Sequence, residues 1–121
     1  MKKILVADDR PASRELIRAV LERSGYIVYE ASDGREAVDL ARKARPDLLI
    51  LDLHMPKLDG VGAVAELRAE TDFATVPMVA LTASAMQGDR ERALAAGFTA
   101  YVTKPINLNL LRSQLARLLN S

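Results

Sequence analysis

The chain has 121 residues, 50% hydrophobic and 27% charged, which is typical of one compact domain. The chain has no cysteine, which excludes disulfides, cysteine-ligated zinc, iron–sulfur clusters and thiol nucleophiles. It has a single histidine, His54, which excludes multi-histidine metal sites. Its 17 basic and 16 acidic side chains nearly cancel, and its apolar runs are far shorter than the ~18 residues that span a bilayer. We therefore expect a single domain over residues 1–121, without signal peptide, membrane insertion or direct contact with nucleic acid.

Five short apolar runs, each bounded by glycine, proline or acidic residues, predict β-strands. In chain order they are residues 4–7, 26–29, 48–51, 78–81 and 101–102. Most of the runs are continuously apolar, which is the pattern of a parallel sheet with both faces covered. The second and fifth runs are expected at the edges of this sheet.

Segments with helical spacing of apolar residues separate and follow the strands. Their apolar positions fall within residues 16–21, 37–44, 61–67, 93–94 and 108–118. Strict alternation of strands and helices predicts an α/β fold with right-handed crossovers. We expect a doubly wound, five-stranded parallel sheet of order 2-1-3-4-5 with five helices, as in flavodoxin-like folds.

Local signals mark some helix ends. Asp33 with Glu36 has the form of a capping box, and Asn107 can cap the last helix. The third helix has the weakest signal, because Gly60 and Gly62 both disfavour a helical first turn. We predict that helix nevertheless, on its apolar spacing.

Polar side chains follow the predicted strands. Asp8 and Asp9 follow the first strand, Asp52 the third, Thr82 the fourth, and Lys104 the fifth. Ligands of open parallel sheets bind beyond the carboxyl ends of the strands, where strand order reverses, so these side chains should converge. Closely spaced carboxylates repel unless a cation lies between them, and hard oxygen ligands suit Mg²⁺. The sequence therefore predicts a magnesium site fit for phosphoryl chemistry.

Over residues 2–119, the chain resembles the receiver domains of two-component response regulators. The matching segments are LVADD at 5–9, PDLLILDLHMP at 46–56, DG at 59–60, PMVALTA at 77–83 and YVTKP at 101–105. Each segment alone is a weak signal, whereas their joint order and spacing are specific. The last helix resembles those of single-domain regulators and hybrid-kinase receivers.

The resemblance implies a phosphoacceptor and a metal site. Asp52 is expected to accept the phosphoryl group and to bind Mg²⁺ together with Asp8, Asp9 and the backbone carbonyl of His54. Asp9 is expected to bind the metal directly, Asp8 through water or as an outer ligand, and the backbone carbonyl of His54 as a further ligand. No other cofactor is expected.

The resemblance also implies the parts of a switch. Lys104 is expected to contact a phosphate oxygen, aided by a cis peptide before Pro105. Thr82 is expected to swing towards the phosphate, which lets the ring of Tyr101 turn inward.

The implied function is a phosphorylation-dependent signalling switch. Its expected partners are a sensor histidine kinase or a histidine phosphotransfer protein, which docks near the first helix, and a downstream protein target, which docks on the face of the fourth helix, fifth strand and fifth helix. We expect it in the cytoplasm. It is expected to be a phosphoacceptor with self-catalysed transfer and autodephosphorylation, and not a dedicated enzyme.

The same residues allow other interpretations. Asp8 and Asp9 could merely cap a helix. An aspartyl phosphatase of the haloacid-dehalogenase type needs a second acid where His54 stands. A nucleotide-binding module needs a glycine-rich loop after the first strand, where the sequence is acidic. Three arginines of the first helix are expected to form a solvent-exposed face that an acidic partner could bind: Arg14, Arg18 and Arg23.

Overall fold

The computed structural model describes residues 1–83 and 87–120, with the backbone alone for residues 87–89. Its elements are β1 (Lys3–Ala7), α1 (Pro11–Arg23), β2 (Ile27–Ala31), α2 (Gly34–Ala44), β3 (Leu48–Asp52), α3 (Gly60–Arg68), a 3₁₀ turn (Thr71–Phe73), β4 (Met78–Thr82), α4 (Gln87–Ala96), β5 (Ala100–Thr103) and α5 (Leu108–Leu119). The predicted alternation is confirmed. Among the described helices, none is both long and apolar enough to cross a membrane.

The strands form one parallel sheet in the order β2-β1-β3-β4-β5, which confirms the predicted topology. β2 and β5 are the edges, whereas every residue of β3 and β4 is buried. In the register of β1 and β3, Ala7 lies opposite Leu51. The residues that follow them, Asp8 and Asp52, therefore emerge side by side at the carboxyl edge.

The core forms two layers because successive side chains of a strand point to opposite faces of the sheet. On one face, α1 and α5 pack against β1, β3 and β4 through Ile4, Val6, Ile17, Leu21, Leu48, Ile50, Val79, Leu111 and Leu115. On the other face, the helices α2, α3 and α4 pack through Leu5, Ala7, Val38, Leu49, Leu51, Val64, Leu67 and Met78, among others. Coverage of both faces explains why the strands are continuously apolar.

Two of the predicted caps are present. The Asp33 carboxylate accepts a hydrogen bond from the backbone amide of Glu36 at 2.8 Å, and the Asn107 side chain accepts one from Leu110 at 3.0 Å. The reciprocal bond of a capping box is not made, because the Glu36 carboxylate accepts from the Ser32 hydroxyl. Asp33 is therefore a simple N-cap.

The helix α3 forms despite its glycines because of tertiary packing. The Asp59 side chain caps it by accepting from the Gly62 amide at 2.7 Å. A Cβ atom on Gly60 would lie 2.4 Å from the backbone oxygen of Asp52, so only glycine lets the helix approach the end of β3. The start of α3 is therefore positioned against the phosphoacceptor candidate.

Candidate functional site

Carboxylates from two neighbouring strand ends meet at the carboxyl edge of the sheet. One oxygen from each of Asp8, Asp9 and Asp52 lies within 4.8 Å of the others. Asp8 and Asp52 are buried, at 0% and 5% exposure, whereas Asp9 is exposed. The three acidic side chains thus form one cluster with an open side at Asp9.

Lys104 brings a positive charge into this cluster from the fifth strand. Its Nζ atom lies 2.7 Å from Asp52 Oδ2 and 3.2 Å from Asp8 Oδ2. Its backbone amide donates to the carbonyl of Thr82 at 2.7 Å, which fixes the loop to the end of β4. The Lys104–Pro105 peptide is cis, as the resemblance implied.

The environment keeps both Asp8 and Lys104 charged. Burial is the largest influence on Asp8 and acts to raise its pKa, but hydrogen bonds from the Arg10 amide and the Ser13 side chain, together with Lys104, hold the pKa below its ordinary value. Burial is likewise the largest influence on Lys104 and acts to lower its pKa, but the Asp52 and Asp8 carboxylates raise that pKa above its ordinary value. A buried carboxylate and a half-buried ammonium therefore coexist as ions.

The Asp52 carboxylate is held on both sides. Its Oδ1 atom accepts from the backbone amide of His54 at 2.9 Å, while Oδ2 contacts Lys104. The His54 side chain itself is exposed. This orientation presents a fixed carboxylate, which is what in-line attack on phosphorus requires.

Thr82 lies on β4, the strand next to that of Asp52, and Tyr101 lies one strand further out, on β5. In the register of β3 and β4, Asp52 pairs with Leu81, so Thr82 stands one residue beyond it and is buried at 2% exposure. Tyr101 on β5 is half-buried, and the guanidinium carbon of Arg90 lies 5.5 Å from the centre of its ring. Their switching roles remain predictions.

The donor set fits Mg²⁺. It consists of carboxylate oxygens, which are the hard ligands that Mg²⁺ takes, typically one or two at a time with water completing the shell. The exposure of Asp9 leaves a route for a hydrated ion from solvent. The proposed contribution of the His54 backbone carbonyl stays a prediction.

The sequence interpretation missed the role of Arg14. Its side chain is only 17% exposed and binds Glu30 with Nε at 3.1 Å, while Nη1 donates to the backbone oxygen of Asp8 at 2.8 Å. Arg18 also binds Glu30. Of the three arginines of α1 that were expected on its solvated face, only Arg23 is exposed and has no ion pair in the described part of the chain. The solvated-face interpretation is therefore wrong for Arg14. Its only signal in the sequence was an acid, Glu30, within the second strand.

The sequence matches the family described as response regulator receiver domain over residues 4–116. Among curated proteins it is 36% identical over 107 residues to the polar-differentiation response regulator DivK of Brucella anthropi, covering 88% of this chain and 87% of that protein.

Solved structures share the fold over almost the whole chain. The chemotaxis response regulator CheY4 of Vibrio cholerae superposes with a TM-score of 0.93 at 34% identity, covering 98% of both chains. The receiver domain of the sensor histidine kinase PA1611 from Pseudomonas aeruginosa superposes with a TM-score of 0.92 at 40% identity, covering 99% of this chain and 98% of that one. That receiver holds a magnesium ion in its active site cleft.

Proposed function

The chain belongs to the family of response regulator receiver domains of two-component systems, and on that basis we propose that Asp52 is its phosphoacceptor and that phosphorylation alters the surface that docks partner proteins. One observation carries this proposal. The Asp52 carboxylate is buried in a cluster with Asp8 and Asp9, and Lys104 contacts it at 2.7 Å. A carboxylate fixed beside a cation and a metal-binding pair is suited to nucleophilic attack on a phosphoryl group.

In the proposed transfer, a carboxylate oxygen of Asp52 attacks the phosphorus of a phosphohistidine. A phosphorus–oxygen bond forms as the phosphorus–nitrogen bond breaks, and its electron pair stays on the imidazole, which leaves and takes up a proton. The product is an acyl phosphate. The domain activates this one carboxylate and later loses the phosphate by hydrolysis, so we describe it as a self-catalysing phosphoacceptor and not a dedicated enzyme.

The groups that would hold Mg²⁺ are Asp9, Asp8, Asp52 and the His54 carbonyl, with Asp9 as a direct ligand and Asp8 acting through water or as an outer ligand. When bound there, Mg²⁺ would supply neutralisation of charge on phosphoryl oxygens. The Lys104 ammonium, which already contacts Asp52, stays with the new phosphate through one of its oxygens.

The switch follows from the placement of the next two strands. Thr82 stands at the end of β4 beside Asp52, within reach of a hydroxyl-to-phosphate hydrogen bond once its side chain reorients. Movement of Thr82 frees space into which the half-buried Tyr101 ring turns. The surface of α4, β5 and α5 then differs between the two states and serves the downstream protein target.

The phosphodonor is a sensor histidine kinase or a histidine phosphotransfer protein, met in the cytoplasm. An apolar groove of about 600 Å³ runs beside Lys104, between α1 and the loop before α5, and includes Leu16, Ile17 and Ile106. Leu16 is 55% exposed, so this groove offers apolar surface for docking next to the phosphoacceptor.

The haloacid-dehalogenase alternative has no support. The family match over residues 4–116 is to receiver domains, and the exposed His54 occupies the position where that phosphatase needs its second acid.

The test is phosphorylation by acetyl phosphate in the presence of Mg²⁺. The wild-type protein should gain one phosphoryl group in its intact mass, labile to hydroxylamine, and Asp52→Asn should abolish it. Asp59→Asn is the matched control, because Asn also caps a helix and Asp59 lies outside the cluster. Absence of labelling under conditions that label a known receiver, or equal labelling of Asp52→Asn, would refute the proposal.

A further inference from the structure

Two adjoining depressions between α1 and α5 form one polar groove, here called the α1–α5 groove. They have volumes of about 340 and 420 Å³ and share Ser24, Asn109 and Arg112. Arg23 from the last turn of α1 lines one of them, and Tyr26 and Ser113 line the other. The groove contains none of the residues of the carboxylate cluster.

The two arginines of this groove lack a counter-ion in the part of the chain that the structure describes. Within the described residues, neither Arg23 nor Arg112 makes an ion pair or a side-chain hydrogen bond. The nearest acid along α1, Glu22, already binds Arg18 at 3.3 Å. Five other arginines do hold carboxylates: Arg14, Arg18, Arg35, Arg42 and Arg45. The α1–α5 groove thus has charge that the fold leaves uncompensated.

The sequence around the groove reinforces this charge. The last acidic residue of the chain is Glu91, and the charged residues after it are Arg92, Lys104, Arg112 and Arg117. Helix α5 therefore carries only positive charge. Because Lys104 is already neutralised by the carboxylate cluster, the free positive charge of this region lies along α5. An approaching anion meets no opposing carboxylate from this helix.

We propose that the α1–α5 groove binds an acidic segment of a partner protein, with carboxylates held by Arg23 and Arg112. The planar guanidinium group matches a carboxylate through paired hydrogen bonds. The hydroxyl groups of Ser113 and Tyr26 and the amide of Asn109 can satisfy the remaining oxygens. Two arginines that line adjoining depressions suit a few carboxylates, whereas nucleic acid requires a longer run of cations than a domain of net charge +1 offers here.

The test uses the full ¹⁵N-labelled chain, whose arginine Nε–Hε resonances report each guanidinium group separately. The probe is a blocked peptide of alternating glutamate and glycine, and its glutamine counterpart is the neutral comparison. The glutamate peptide should shift the resonances of Arg23 and Arg112 and leave those of Arg117 and Arg45 in place. Arg23→Gln and Arg112→Gln should each weaken binding by about tenfold, as loss of a charged hydrogen bond does.

Arg117→Gln is the matched control, because Arg117 lies on the same acid-free helix but outside the groove. It should leave affinity unchanged. Equal shifts with the glutamine peptide, equal loss on Arg117→Gln, or absence of shifts at Arg23 and Arg112 would overturn the proposal. Shifts produced equally well by inorganic phosphate or by a short DNA duplex would also overturn it and assign the groove to another anion. Acetyl phosphate labelling of Asp52 should persist in both groove variants, which separates this inference from the proposed function.

Discussion

Lys104 and Asp52, 52 positions apart in the chain, are in direct contact, with Nζ 2.7 Å from Oδ2. The same ammonium reaches Asp8 at 3.2 Å, so it bridges the two buried carboxylates. Without a bound cation, this bridge offsets part of their mutual repulsion. The arrangement therefore links the stability of the cluster to the ions that enter it.

Replacement of Lys104 by alanine should destabilise the domain when Mg²⁺ is chelated. Asp8 is fully buried and Asp52 nearly so, and loss of the cation should cost about 2 kcal/mol in the free energy of unfolding. Urea unfolding followed by circular dichroism measures this cost, and added Mg²⁺ should recover part of it. Lys57→Ala is the control, because Lys57 is 73% exposed and lies 3.7 Å from Asp33. Unchanged stability of Lys104→Ala under chelation would contradict the bridging role.

Asp9→Asn should separate metal binding from folding. Asp9 is exposed, so its replacement should leave unfolding with chelator nearly unchanged. Addition of Mg²⁺ should raise the melting temperature of the wild type by binding the native state alone, and this rise should require about tenfold more Mg²⁺ in the variant. Asp72→Asn, at an exposed pair far from the cluster, should respond like the wild type. An equal response of Asp9→Asn would remove Asp9 from the metal site.

Glu30 should contribute stability that disappears in acid. Its hydrogen bonds with Arg18, and then with Arg14, hold the pKa of its carboxyl group below its ordinary value. A lowered folded-state pKa contributes stability above the unfolded-state pKa, and that stability is lost as pH falls through the folded value. Glu30→Gln should therefore unfold more easily by about 1 kcal/mol near pH 7. Below the lowered folded-state pKa, where the Glu30 carboxyl group is protonated in both the folded and the unfolded protein, the difference should vanish.

Glu22→Gln is the comparison for this measurement. Glu22 also pairs with Arg18, but its side chain is 47% exposed, against 22% for Glu30. Solvent screens the more exposed pair, so its replacement should change stability less at neutral pH. A Glu30→Gln effect of the same size in acid as at neutral pH would contradict an ionic origin.

Gly60 and Gly62 should differ in their response to alanine. A Cβ atom on Gly60 meets backbone of Asp52 at 2.4 Å, so Gly60→Ala should cost about 1–3 kcal/mol and slow phosphorylation of Asp52. On Gly62 the closest atom, at 2.6 Å, is the end of the Leu58 side chain, which can rotate away. Gly62→Ala should therefore be neutral or stabilising by up to about 1 kcal/mol from helix propensity. Thermal unfolding and acetyl phosphate kinetics test both, and equal effects would refute the close-approach argument.

The sequence determined the class of fold and the place of the site. Continuous apolar runs indicated a sheet covered on both faces, and the alternation with helices predicted its parallel order. Because parallel strands end at one edge, acids after the first and third strands had to meet there, as Asp8 and Asp52 do. Local caps such as Asp33 could also be predicted, since they depend on a few neighbouring residues.

Only the tertiary structure decided which charged side chains find partners. Arg14 reaches Glu30 and the carbonyl of Asp8, and Arg68, which lacks an acidic partner among the described residues, donates to the carbonyls of Phe73, Val76 and Gly97. Spacing places such residues on a helix, but the rotation and tilt of that helix against the sheet determine what a long side chain can reach. The sequence does not distinguish Arg14 from Arg23, since both are arginines of the same helix. The packing of α1 against β2 and α5 makes Arg14 a structural contact, whereas Arg23 keeps no ion pair among the described residues and is available to a partner.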